Sequence, residues 1–406
     1  MKQFYRYGMY TLIGLVLIAG AGTAVFWKKI HQTWAVYQYA QVFKPAHIFE
    51  NFRSLYKMYP SVRIPHEGAV SELAVAERPL PETFVYKGET RKLSDWLKRG
   101  GTTGFIVLKD GVIVHEEYDH GNSAATQAIA FSLSKSFVSF LIGNAVNDGL
   151  IDINQPVDRY APVLAEGGYK GVTVKNVMQM ASGIGFNEDY GDLNSDIVRY
   201  AAELLTGSIA KFTAHLKNER PQGADSHYVS ADTQVLGLVL EGATGIPLQD
   251  YFEDRLWSKL GAEADAYWLV DPTGEVAAAA GLNAVLRDYA RFGQLYLDEG
   301  RNFKGEQLVP AKWVHDSVTP DAPYLMPGRK NDAFGKIPFG YGYQWWTPVD
   351  WQGDYCAVGI YGQFIYVNPA RRVVIAKTSA QASYNVDGQA MKDESMHAFQ
   401  AIANAL

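Results

Sequence analysis

Strand-forming segments stand at both ends of one long stretch of this chain, and a mainly helical run separates them. Phe105-Ile106-Val107-Leu108 and Val112-Ile113-Val114-His115 flank Asp110-Gly111, a pair suited to the positive φ of a tight hairpin turn. Strand patterns then return only at Gly342-Tyr343-Gln344-Trp345-Trp346, from Tyr355 to Val367, and from Arg372 to Thr378, with Asn368-Pro369 between the last two. Ser134 to about Leu297 reads mainly as helix, and a last helix is expected from Asp393 to Ala403. Strands so far apart bury their apolar faces by meeting in one sheet. The expected class is therefore α+β: an antiparallel sheet built from both ends of the domain, flanked by helices, with an inserted all-helical subdomain.

The first hundred residues read differently. Lys2 and Arg6 precede an apolar run from Tyr10 to Trp27, long enough to span a bilayer as a helix, and Lys28-Lys29 closes it. Ala19-Gly20-Ala21 offers a cleaved signal as the competing reading. Val25-Phe26-Trp27 continues the run past that site, which favours an uncleaved anchor. From His31 to Met58, aromatic and aliphatic residues recur at helical spacing, interrupted near Pro45, and Pro60 to Pro81 is proline-punctuated. The expected organisation is an anchor over residues 1–30, a stalk helix and linker over 31–92, and a catalytic domain over 93–406. The inner membrane would then be a partner through the N-terminal helix.

Composition narrows the class. With 48% hydrophobic and 20% charged residues, the chain can bury a large core and is too polar for a polytopic membrane protein. Its 43 acidic and 37 basic side chains leave a net charge of −6, and no basic tract with interleaved aromatics appears, so no nucleic-acid partner is expected. The single cysteine, Cys356, excludes an internal disulfide. No metal-ligand spacing, dinucleotide fingerprint or phosphate-binding loop occurs, and no metal or organic cofactor is expected.

The chemistry points to Ser132-Leu133-Ser134-Lys135, at the head of an apolar helix that should stop at Asp148-Gly149. A serine hydroxyl needs a base. A lysine three residues on, one helical turn away, can supply it, and the helix N-terminus would lower that lysine's pKa. The spacing also occurs at Ser54–Lys57 and Ser208–Lys211, so context must choose. A Ser-His-Asp triad is the rival. Nine histidines are present but no Gly-x-Ser-x-Gly elbow, and only His227 lies close to a proposed motif.

After the Ser-x-Ser-Lys helix come Gly149-Leu150-x-Asp152, Pro156-Val157, and Thr173-Val174-Lys175-Asn176-Val177-Met178 leading to Ser182-Gly183-Ile184. Together these resemble the serine β-lactamase-like superfamily, which includes class C β-lactamases, DD-peptidases, esterases and 6-aminohexanoate-dimer hydrolases. The resemblance covers Gly104 to the C-terminus and selects Ser132 and Lys135. Its second motif is matched by Tyr228-Val229-Ser230. Tyr366-Val367-Asn368 also fits but lies in a strand beyond the third motif and reads as structural. In place of the family's Lys-Thr-Gly the chain offers Ala357-Val358-Gly359-Ile360-Tyr361-Gly362, without the lysine that helps hold a penicillin carboxylate. That departure brings the chain nearest to the dimer hydrolases and esterases.

The resemblance implies Ser132 as nucleophile, Lys135 and Tyr228 as general base and acid, and the N–H groups of Ser132 and Ile360 as oxyanion donors. Ser230, Gly359 and Tyr361 would contact substrate. So would Tyr190, in the acidic loop Asn187–Asp192, which matches a tyrosine-bearing loop of the dimer hydrolases. The aromatics Tyr341, Tyr343, Trp345, Trp346 and Trp351 read as core or as walls of a cleft. The expected activity is cleavage of a small-molecule or short-peptide amide or ester through an acyl-enzyme. Alternatives are a DD-peptidase or β-lactamase activity, and an idle, tethered binding protein. A catalytic domain outside the cytoplasm follows from the exported relatives.

Overall fold

The computed structural model describes residues 27, 30–331, 335–336 and 339–406. Seven strands form one antiparallel sheet, in the spatial order Gly340–Tyr341, Trp346–Thr347, Tyr355–Gly359, Gln363–Asn368, Val373–Ser379, Thr102–Lys109, Val112–Tyr118. The two ends of the domain meet where Val373–Ser379 pairs with Thr102–Lys109, with Ile375 opposite Val107. The α+β class read from the sequence is the class observed.

The period-two alternation of the strands assigns each face its layer. Phe105, Val107, Phe364, Tyr366, Val373 and Ile375 face one core, shared with Trp96 and Phe399 from the helices Leu93–Arg99 and Tyr384–Ala405. Ile106, Leu108, Ile365, Val367, Val374 and Ala376 face the other, under the helix Leu286–Leu297. Burying each large side chain contributes about 1.5–3 kcal/mol, so both sheet faces must be covered. The hairpin at Asp110-Gly111 forms as expected, with φ of +52° and +78°.

Beside this sheet lies the helical layer, in which Ser134–Asn147 packs on Ser230–Thr244. Ser134–Asn147 is buried on nearly every side, its polar Lys135, Ser136 and Ser139 included. Gly149, just beyond its end, takes φ +72°. Two strand expectations are corrected. The segment Tyr355–Val367 is broken by a turn at Ile360-Tyr361-Gly362, where Tyr361 and Gly362 take φ of +61° and +90°. Gly342–Trp346 is likewise mostly turn, between short strands at Gly340–Tyr341 and Trp346–Thr347. The last helix begins at Tyr384, nine residues earlier than expected.

The N-terminal part departs most from expectation. The apolar run Tyr10–Trp27 lies outside the described residues except for Trp27. Among the described residues no helix is long and apolar enough to cross a membrane. The membrane-anchored, extracytoplasmic localisation and the inner membrane as partner are corrected accordingly. Residues 31–92, read as stalk and linker, are packed on the domain. Val42, Ile48, Phe52 and Leu55 belong to the main core, and Ser61–Ile64 pairs with Ala266–Leu269 at the edge of a second, four-stranded sheet. Helical spacing showed that this segment had an apolar face, but not that the domain itself would cover it.

Candidate active site

Ser132 sits in a 3-10 turn, Phe131–Leu133, that runs directly into the helix Ser134–Asn147. The turn is bent: Phe131, a bulky residue, takes φ +47°. It is held from below, where the Ala130 N–H donates to Leu282 O at 2.8 Å and Ser134 Oγ donates to Phe131 O at 2.7 Å. Ser132 is left 7% exposed. On the next turn Lys135 is 1% exposed and points into the same space, its Nζ donating to Ala279 O at 2.7 Å and Ser230 Oγ at 3.2 Å. Burial lowers its pKa to about 8, although the charges of Glu188 and Asp232 pull it upward.

Tyr228 is half-buried, its ring stacked on Trp346 at 5.4 Å and edge-on to Tyr341 at 6.3 Å. Burial, then Tyr341 and Glu188, hold its phenol well above the usual range, while a hydrogen bond with the Ser132 side chain opposes the rise. Lys135 Nζ lies 5.5 Å from its ring centre. Ser132, Lys135 and Tyr228 therefore converge from two segments almost a hundred residues apart.

The other two Ser-x-x-Lys pairs are ordinary helix starts. Ser208 Oγ accepts the Lys211 N–H at 3.4 Å, and Ser54 only precedes the short helix Leu55–Met58. Ser230 and Tyr190 join the site through a residue the sequence did not single out, Glu188. Its carboxylate accepts from Ser230 Oγ at 2.5 Å, from the Ser230 N–H at 3.0 Å and from the Tyr190 hydroxyl at 2.6 Å. An acid in an acidic loop carries no mark that distinguishes it from its solvated neighbours.

Ile360 and Ser132 line one cavity of about 120 Å³, together with Tyr190 and Ser230. Gly359 and Tyr361 do not line it. A Cβ on Gly359 would sit 2.2 Å from Ala130 O, so glycine there lets the turn press against the backbone beside Ser132. Tyr361 is buried and stacks on Phe43 and Tyr384, at 4.8 and 4.7 Å. His227 faces the Phe186 carbonyl at 3.1 Å. Tyr366 is buried in its strand and donates to Asp354 Oδ2 at 2.8 Å, as a structural residue would. Tyr343 and Trp345 are core, whereas Tyr341 and Trp346 wall in Tyr228. Among the described residues no group of three or more His, Cys, Asp or Glu side chains could hold a metal ion.

A family model described as Beta-lactamase matches residues 95–398, about three-quarters of the chain. The chain belongs to the β-lactamase family. The 6-aminohexanoate-dimer hydrolase of Paenarthrobacter ureafaciens is 32% identical over 297 residues, covering 71% of this chain and 75% of that protein. A solved structure from Bacillus anthracis, named as a candidate 6-aminohexanoate-dimer hydrolase, matches with a TM-score of 0.78 at 23% identity, over 90% of this chain and 95% of that one. A family VIII carboxylesterase matches with a TM-score of 0.59 at 19% identity, over 77% and 95%. These two structures share the β-lactamase fold. As a member of the family, this chain is a hydrolase.

Proposed function

We propose that this β-lactamase-family protein hydrolyses an amide or ester through an acyl-enzyme on Ser132. The observation that carries the reading is Lys135: an ammonium buried one turn from Ser132, its pKa lowered to about 8, so that an appreciable fraction is a neutral base near neutral pH. Ser132 Oγ attacks the carbonyl carbon, and its proton passes to the Lys135–Tyr228 pair. Tyr228, whose phenol stays protonated, gives its proton to the departing amine or alcohol and is reprotonated from Lys135. A water then attacks the acyl-enzyme, passing one proton back through the same pair. The acid is released and Ser132 restored.

The N–H groups of Ser132 and Ile360 hold the oxyanion in this scheme. Support comes from their shared cavity and from the 3-10 turn, whose first N–H groups lack helical partners. The 6-aminohexanoate-dimer hydrolase, whose name specifies a short amide, supports an amide or ester of modest size. β-Lactam recognition is disfavoured by the lysine-free turn Gly359-Ile360-Tyr361-Gly362.

The test is intact-mass spectrometry after exposure to an activated alkylphosphonate. One adduct is expected on the wild-type protein and none on folded Ser132→Ala. An adduct that persists in Ser132→Ala, or its absence from both proteins, overturns the assignment.

A further inference from the structure

The cavity that reaches Ser132 has an unusual lining for a hydrolase of small polar amides. No charged side chain lines it among the described residues, and its polar contributions are confined to serines and tyrosines. One wall is the helix Asp196–Thr206, through Ile197, Leu204 and Leu205. Another wall is Tyr39, Val42 and Phe43, which precede the segment matched by the family model. This N-terminal wall is fixed in place. Phe43 stacks on Tyr361 and meets Phe52 edge-on at 5.9 Å, and Gln32 Nε2 donates to Glu203 Oε1 at 3.5 Å.

The side of the reaction that the cavity serves follows from Tyr228. That residue lies beside Lys135, whose Nζ is 5.5 Å from its ring centre, yet it does not line the cavity. A proton donor to the leaving group must face the leaving group. The cavity therefore lies on the acyl side.

We propose that this cavity is an acyl-binding subsite for a short, uncharged aliphatic chain, and that residues Tyr39–Phe43 help set the chain length it accepts. The inference rests on Ser132 being the nucleophile. A cavity of about 120 Å³ is a little smaller than an apolar cavity of roughly 150 Å³ that takes benzene, so it suits a chain of about five or six carbons, which puts the optimum near hexanoyl. A terminal ammonium would lose its hydration among these apolar walls, and the nearby Glu188 carboxylate already accepts from Ser230 and Tyr190.

The test compares p-nitrophenyl esters from acetyl to decanoyl, and the methyl esters of hexanoic and 6-aminohexanoic acid. In the wild-type protein kcat/KM is expected to rise by about fourfold per methylene up to hexanoyl and then to level or fall. Methyl hexanoate should exceed methyl 6-aminohexanoate by roughly a hundredfold or more at pH 7. Val42→Phe, on the N-terminal wall, should lower the hexanoyl-to-acetyl ratio at least about tenfold. A flat acyl series, or equal use of the two methyl esters, overturns the proposal even if Val42→Phe fails to fold. An unchanged ratio in folded Val42→Phe overturns the role of the N-terminal wall. Failure of the nucleophile reading is distinct, since it appears as loss of the phosphonate adduct whatever the chain length.

Discussion

In the proposed mechanism Lys135 sets the pH response of the site. Only its neutral form accepts a proton, and that fraction grows as pH rises through about 8. The acylation-limited kcat/KM is therefore expected to climb with pH and level off above about 8. Glu188 acts on this value from a distance: its carboxylate holds Ser230, which accepts from Lys135, and its charge favours the ammonium. Glu188→Gln removes the charge and keeps a hydrogen-bonding group. The midpoint of the pH–kcat/KM profile should move downward, because less negative charge favours the neutral amine. An unmoved midpoint with unchanged kcat/KM would remove Glu188 from the electrostatics of the site. Steady-state kinetics from pH 6 to 10 on both proteins decides it.

The turn at Ile360-Tyr361-Gly362 and the N-terminal segment each do something that their residues alone do not announce. The turn places a strand end against Ala130 because Gly359 has no Cβ to block it. The N-terminal segment closes one side of the cavity and enters the main core through Ile48, Phe52 and Leu55. Phe52 meets Phe131, the residue before Ser132, edge-on at 4.9 Å. Phe52→Ala should cost about 3–5 kcal/mol, seen as a lowered midpoint in urea denaturation. A free stalk would instead tolerate the change almost without loss, and that outcome would contradict the packing described.

The molecule also buries a second lysine, against the turn Ile360-Tyr361-Gly362. Lys377 is 2% exposed, with its Nζ bonded to Ser379 Oγ and Gly362 O and lying over the Trp96 and Phe364 rings. Burial lowers its pKa to about 7 in the folded protein, against about 10.4 unfolded. Between these values the unfolded chain binds the extra proton, so the folded state gains stability as pH rises. Relative to Lys377→Met, the wild type should become steadily more stable from about pH 7 to 10. Below about 7 both states carry the proton and the difference should be constant. Urea denaturation of the two proteins across that range measures it, and a difference independent of pH throughout would rule out a buried neutral lysine.

Local order was legible wherever a residue's neighbours in sequence are also its neighbours in space. The Asp110-Gly111 hairpin, the helix that ends before Gly149 and the turn-apart pairing of Ser132 with Lys135 are of this kind. Tyr228 was reachable because its motif has a fixed order along the chain. The strand-helix-strand layout determined the α+β class, since strands at both ends had to pair to bury their faces. Tertiary structure alone decided the rest. Glu188 joins the site only because its loop folds onto Ser230, and Tyr39, Val42 and Phe43 form a wall only because the N-terminal segment packs beside Asp196–Thr206, where Gln32 donates to Glu203. Apolar periodicity requires that a face be covered and is silent about what covers it. Here residues 31–58 read as a stalk helix with an apolar face, and the domain's own core covers that face through Val42, Ile48, Phe52 and Leu55.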